Sequence, residues 1–228
     1  MVTTGVVIVA AGSGKRMGGQ RNKLWLPLAG EPILAHTVRL FASHYEIGQI
    51  VLVVSETDQA DVHAWLEKEK LQLTVVLGGA ERQDSVRNGL EACRDCTYVL
   101  VHDAARPFVT PELISQMISQ VQRDEATILA VPVKDTIKVV GETGVVESTP
   151  ARESLWAVQT PQAFRMSLLK EAHLAAWRSG RIGTDDAMLV EWLGHPVTVM
   201  LGSYENIKIT TPDDLLLGEE ILRKRKGE

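Results

Sequence analysis

The sequence predicts an α/β protein built on a mostly parallel sheet with helices on both faces, and three observations carry that expectation. Short apolar runs bounded by turn residues recur along the chain: VVIVA (6–10), IVLVV (50–54), LTVVL (73–77), YVLV (98–101), TILAV (127–131), VTVML (197–201) and IKIT (207–210). Several are apolar throughout, as strands buried on both faces are. Stretches with helical periodicity lie between them, giving a βαβαβα alternation. Finally, 228 residues with 45% hydrophobic and 23% charged content suit one compact, Rossmann-like domain spanning 1–228.

Taken in order, the first strand runs into the glycine-rich, basic loop AAGSGKRMG. A helix is expected over 31–41, with Pro32 near its start, where a missing N–H costs little. Further helices are expected over 57–70 and 85–92. In 111–122, Thr110 is placed to cap, and Leu113, Ile114, Met117, Ile118 and Val121 share one face. The segment 132–150 breaks the alternation: two β-rich runs surround Gly-Glu-Thr-Gly, so a hairpin projecting from the sheet is expected. A lone hairpin is marginally stable, and a second copy of the chain is the obvious surface for it to pack on.

Charge and targeting narrow the function classes. The formal net charge of -5 provides no overall attraction to nucleic acid or an anionic membrane, so an anion site must be built from a few aimed cations. The terminal RKRK therefore reads as a solvated helix end. The first strand follows Met1 closely, no apolar run approaches a membrane span, and a cytoplasmic protein is expected. Cys93 and Cys96 form a lone CRDC with no second CxxC or His pair, which reads as two thiols near a helix end.

In an open α/β sheet, ligands bind outside the carboxyl ends of the strands, so the loops there carry the chemistry. The first loop is no P-loop, because Gly14-Lys15 has Val9 five residues before the glycine and Arg16 after the lysine. It is no dinucleotide fingerprint either, because Met17 stands where the third glycine belongs. It offers small residues from Ala10 to Gly14, whose amides can approach a ligand, and the cations Arg16 and Lys23. That combination suits a triphosphate, although a plain turn with solvated basic side chains would look similar.

Asp103 follows the fourth strand and presents a hard oxygen ligand suited to Mg²⁺ at the same sheet edge. Arg106 has two open readings, orienting Asp103 or touching phosphate. His102 reads as a strand-end packing residue rather than a base. Thr184, Asp185 and Asp186 stand where a helix begins, so capping alone would account for the aspartates. Lys208 sits within an apolar run, and its position alone decides nothing.

Together AAGSGKRMG with Lys23, GGAERQDSV, VHDAARP, DTIK, LWAVQTPQAF, GTDDA and NIKIT resemble, in order and over nearly the whole chain, the 2-C-methyl-D-erythritol 4-phosphate cytidylyltransferases. The resemblance implies a nucleotidyltransferase that joins CTP to methylerythritol phosphate with Mg²⁺ and releases pyrophosphate. It implies that Arg16 and Lys23 grip the triphosphate, that Ala10, Ala11, Gly12 and Ala104 line the CTP pocket, and that Gly79 and Ala80 read cytosine through their backbone with Ser85 supporting that contact. It further implies that Asp103 faces metal and sugar, with Arg106, Thr184 and Lys208 lining the site. A β-arm at about 133–155 would exchange within a homodimer, carrying Thr136, Arg152 and Thr160 to the neighbour's substrate. Ala80 departs from the acidic residue the family often has there, which matters only if that side chain reads the base.

Overall fold

The computed structural model describes residues 3–12 and 22–227. In chain order the elements are β1 (Thr4–Val9), β2 (Pro27–Leu28), β3 (Glu31–Pro32), α1 (Ile33–Ala42), β4 (Ile47–Val54), α2 (Gln59–Glu69), β5 (Thr74–Leu77), α3 (Arg82–Ala92) and β6 (Tyr98–Asp103). There follow α4 (Pro111–Asp124), β7 (Ala126–Pro132), β8 (Val139–Val140), β9 (Val146–Ser148), β10 (Trp156–Arg165), α5 (Met166–Ser179), α6 (Asp186–Trp192), β11 (Thr198–Leu201) and α7 (Pro212–Lys226). Seven strands form one sheet in the order β11-β7-β10-β6-β1-β4-β5. Every pairing is parallel except those of β10, which is antiparallel to both β6 and β7.

Strand residues alternate between two cores. Val6 and Ile8 of β1, Leu52 and Val54 of β4 and Leu100 of β6 pack into a cluster that includes Ile33 and Val38 of α1 and Ile114 and Met117 of α4. The intervening Val7, Val51, Val53, Val99 and Val101 pack into the opposite cluster with Val86 and Leu90 of α3 and Leu169 of α5. Successive side chains of a strand point to opposite faces, so a continuous apolar run in the middle of the sheet feeds both layers. Full burial of each such side chain is worth about 1.5–3 kcal/mol.

The helix starts follow local chemistry. Thr110 accepts from the Leu113 amide, and Pro111 opens α4, as the sequence predicts. The helix expected from residue 85 begins at Arg82, because Glu81 and Asp84 form a reciprocal capping box three residues earlier. The helix expected from residue 31 begins at Ile33, because Glu31–Pro32 pairs instead with Pro27–Leu28. The basic chain end is the last turn of α7, where Lys224 and Arg225 hold Glu205.

Two features differ from expectation. Residues 207–210 form no strand: the Ile209 amide donates to the Ala105 carbonyl, and buried Asn206 donates through Nδ2 to the Thr160 carbonyl. Single ties to two different segments replace a ladder. The central strand β10, in contrast, was not apparent from the apolar pattern, because Gln159, Thr160 and Gln162 interrupt it while being buried. The hairpin is present as β8 and β9, and Val140, Val145 and Val146 stand exposed on it.

Candidate active site

The carboxyl ends of β1, β5 and β6 open onto a cleft of about 470 Å³ lined by Ala10, Ala11, Gly12, Lys23, Gly79, Ala80, Arg82, Ser85, Asp103 and Lys208. Its size suits one nucleotide-sized ligand. The position follows from topology, since parallel strands end together at one sheet edge.

Each wall has an identifiable support. Ala10 continues β1 and donates its amide to the Val53 carbonyl. On the β5 side, Ser85 Oγ accepts from the Gly79 amide at 3.1 Å and lies 3.1 Å from the Glu81 carbonyl, to which it donates. Gly79 is required there, because a Cβ would lie 2.3 Å from that of Asp84. Lys23 opens a 3-10 turn whose cap, Asn22, also donates to Asp58 Oδ2 at 2.7 Å. Trp25 Nε1 donates to the other oxygen of Asp58, so this nearly buried carboxylate anchors the turn from both ends.

Asp103 is the electrostatic centre. Lys208 Nζ lies 2.6 Å from its Oδ2, and Arg82 Nε lies 3.3 Å from its Oδ1. Arg82 also reaches Asp186 Oδ2 at 2.7 Å, and Asp186 Oδ1 is 3.1 Å from His173 Nε2. Burial alone would raise the Asp103 carboxyl, but Arg82 and Lys208 outweigh it and hold the group well below the usual carboxylate range. Burial alone would lower Arg82, but Asp186 and Asp103 hold it above its ordinary value. Both groups are therefore charged throughout the neutral range.

Lys23 and Lys208 come together through the irregular loop 206–210. Lys23 Nζ donates to the Ile209 carbonyl at 2.6 Å, while the adjacent Lys208 turns to Asp103. A regular strand would place successive side chains on opposite faces with their carbonyls committed to a ladder. The loss of the expected strand is thus what assembles two cations on one wall.

The remaining expected residues are placed as follows. Arg16 lies outside the described residues. Ala104 is fully buried behind the wall, with its amide on the Val9 carbonyl and its own carbonyl accepting from Thr37. Arg106 donates to the Asn206 carbonyl at 2.9 Å and fastens the 206–210 loop, rather than lining the cleft. Thr136 and Arg152 are exposed at the base of the arm, away from this cleft. Thr184 is exposed, and the helix cap is Asp185, whose Oδ1 accepts from the Met188 amide.

Thr160 is buried in β10 of this chain's own sheet, outside the arm, and its hydroxyl accepts from the Asp103 amide at 3.0 Å, which supports Asp103. The same hydroxyl lies 3.2 Å from His102 Nδ1, and His102 Nε2 lies 3.0 Å from the Arg106 carbonyl. These contacts assign His102 as neutral with its proton on Nε2. Burial pushes its pKa down to about 4, and its ring packs on Phe41, which fits the packing role expected for it.

Sequence reasoning misses Arg82, Asn22, Asp58 and His173, and leaves Asp186 open between capping and function. Arg82 and Asp186 stand in the motifs GGAERQDSV and GTDDA, which is the available signal; Asn22 and Asp58 carry none. Among the described residues, no three His, Cys, Asp or Glu side chains cluster as a metal site. The Asp103 carboxylate beside a nucleotide-sized cleft nevertheless fits Mg²⁺, which commonly takes one or two carboxylates and completes its shell with phosphates and water.

Comparison with known proteins agrees with this geometry. The family described as IspD, 2-C-methyl-D-erythritol 4-phosphate cytidylyltransferase, matches residues 4–224. The protein of that name from Alkaliphilus metalliredigens is 51% identical over 225 residues, covering 97% of this chain and 93% of that protein. Its counterpart from Bacillus velezensis is 50% identical, covering 97% of each. The crystal structure of 4-diphosphocytidyl-2C-methyl-D-erythritol synthase from Anaerococcus prevotii superposes with a TM-score of 0.87 at 32% identity, covering 97% of this chain and 96% of that one. That of 2-C-methyl-D-erythritol 4-phosphate cytidylyltransferase from Thermus thermophilus has a TM-score of 0.79 at 33% identity, covering 98% and 100%. With its strand-end cleft, its Lys23–Asp103–Lys208 wall and a match along almost its full length, the chain belongs to the 2-C-methyl-D-erythritol 4-phosphate cytidylyltransferase family.

Proposed function

We propose that this chain transfers CMP from CTP to 2-C-methyl-D-erythritol 4-phosphate and releases pyrophosphate. The observation that carries the reading is the convergence of Lys23, Lys208 and Asp103 on one cleft beside a small-residue loop, in a chain of this family. A phosphate oxygen of the sugar phosphate attacks the α-phosphorus, the bond to the β-phosphate bridging oxygen breaks, and no covalent intermediate on the protein is required. Catalysis then rests on positioning and on neutralising charge as pyrophosphate departs.

The proposed roles are supported by placement in the cleft and by the family resemblance. Lys23 and, from the sequence, Arg16 grip the triphosphate, while Ala10, Ala11 and Gly12 let it approach the main chain. Gly79 and Ala80 contact the base from a loop that Ser85 holds in shape. Lys208 stands where it can leave Asp103 for the attacked phosphate. Asp103 would hold Mg²⁺, which when bound offsets triphosphate charge and polarises the α-phosphate.

The chain is proposed to act as a single nucleotidyltransferase domain, soluble in the cytoplasm; no helix among the described residues is long and apolar enough to cross a membrane. The exposed valines of the hairpin support an arm that packs on a second copy, and a cleft lining that does not include Thr136 and Arg152 is compatible with their serving the partner's substrate. The substrate assignment is tested by assaying methylerythritol phosphate and ribitol 5-phosphate side by side with CTP. Faster turnover of the ribitol compound would contradict it.

A further inference from the structure

The two cysteines lie far from the cleft, beside Gly5 at the opposite end of β1 from Ala10–Gly12. Cys93 is buried and terminates α3, whereas Cys96 is partly exposed. Between them Asp95 adopts the left-handed conformation (φ 58°), which turns the chain back on itself. The two Sγ atoms are 3.4 Å apart, with Cys93 donating its S–H to Cys96.

The neighbours hold this turn in place. Gln49 accepts from the Arg94 amide at 2.8 Å and donates to the Ala92 carbonyl at 3.3 Å, and Thr3 Oγ1 donates to the Asp95 carbonyl at 2.5 Å. Both sulfurs rest on the bare backbone of Gly5, where a Cβ would come within 2.4 Å of one and 2.8 Å of the other. A metal explanation lacks ligands, since no third His, Cys, Asp or Glu completes a set here among the described residues.

We propose that Cys93 and Cys96 are a dithiol that closes reversibly to an intramolecular disulfide on exposure to a low-molecular-weight disulfide. A bond at about 2.05 Å requires the sulfurs to approach by little more than one ångström. Cys96 is the attacking sulfur: it is the accessible one, and the S–H of Cys93 stabilises its thiolate and lowers its pKa. Its thiolate attacks one sulfur of glutathione disulfide, expels one glutathione and forms a mixed disulfide. That step removes the negative charge beside Cys93, which loses its proton to solvent, attacks Cys96 Sγ and expels the second glutathione. Two protein thiols are oxidised, and one glutathione disulfide is reduced to two glutathiones.

The test incubates the reduced full-length protein with excess glutathione disulfide, quenches it in acid, unfolds it in N-ethylmaleimide and records the intact mass. The wild type should lose the mass of two hydrogens, take up no N-ethylmaleimide and recover both thiols in dithiothreitol. Cys93→Ser should stop at a single glutathione adduct on Cys96, and Cys96→Ser should remain unmodified until unfolded and alkylated; both should keep wild-type turnover. A wild type that stops at an adduct, retains two free thiols or links two chains would overturn the proposal.

Discussion

Arg82 sits between two carboxylates, and replacing it leaves Asp103 with Lys208 but takes from Asp186 its guanidinium. Asp186 is almost completely buried and its other oxygen faces His173, so Arg82→Ala leaves an uncompensated charge behind the cleft wall. Truncating one member of such a pair costs roughly 2–4 kcal/mol, here tempered by the partial exposure of the guanidinium. The urea midpoint should fall accordingly, and Arg82→Lys should recover only part of it, because an ammonium lacks the fork that spans two acceptors. A wild-type midpoint for Arg82→Ala would remove the network from the account. Lys23→Ala should cost stability through the lost bond to the Ile209 carbonyl, and should lower kcat by roughly 10² or more, as loss of one preorganised donor does; near-normal turnover would refute its role. The contrast also marks what could be read at this scale. Lys23 and Asp103 stand in loops whose chemistry can be read locally, and Ser85 and Lys208 were legible only through the family resemblance, whereas Arg82 acquires its role from partners 21 and 104 positions away.

At the scale of elements, α3 lies so close to the sheet that a Cβ on Gly89 would meet Val7 Cγ1 at 2.4 Å and Val53 Cγ2 at 3.0 Å. Both valines are buried and stiff at χ1, so Gly89→Ala should cost about 1–3 kcal/mol, despite the helix-propensity gain of nearly 1 kcal/mol expected at an open site. A stabilised variant would show that the helix can move away. A second element-level effect lies at the end of β6. His102 binds a proton only below about 4 when folded, against 6.5 when free, so the unfolded chain takes up protons first as pH falls. Stability should therefore drop by about 2 kcal/mol from pH 7 to pH 5, more steeply in wild type than in His102→Gln. Asp103 and Asp186 act in the same direction at lower pH: their folded pKa values are depressed, so their contribution is fully present above the free-carboxylate range and is lost as pH falls through and below it. Equal slopes in wild type and variant would contradict the neutral, buried assignment. The apolar strands and the capped helix α4 were legible because periodicity and caps are local. The strand β10 was not, because its buried glutamines are satisfied by distant groups such as Asp185 and Ser203.

For the whole molecule, the mostly parallel order and the placement of the cleft at strand ends follow from the βα alternation, and were expected from it. The proposed pairing of two copies rests, in the sequence, on the projecting hairpin alone. If the arm carries Arg152 into a partner's site, mixing Lys23→Ala with Arg152→Ala protein should restore roughly a quarter of wild-type activity, since mixed dimers contain one intact site. No recovery despite confirmed subunit exchange would mean that each chain completes its own site. The central claim, that the Lys23–Asp103–Lys208 cleft presents the α-phosphorus of CTP to a sugar phosphate, is tested most directly by measuring pyrophosphate release from each of the four nucleoside triphosphates with methylerythritol phosphate and Mg²⁺. Release should depend on the sugar phosphate and be faster with CTP than with the others by about 10² or more. Release without the sugar phosphate, or equal release with all four nucleotides, would contradict it.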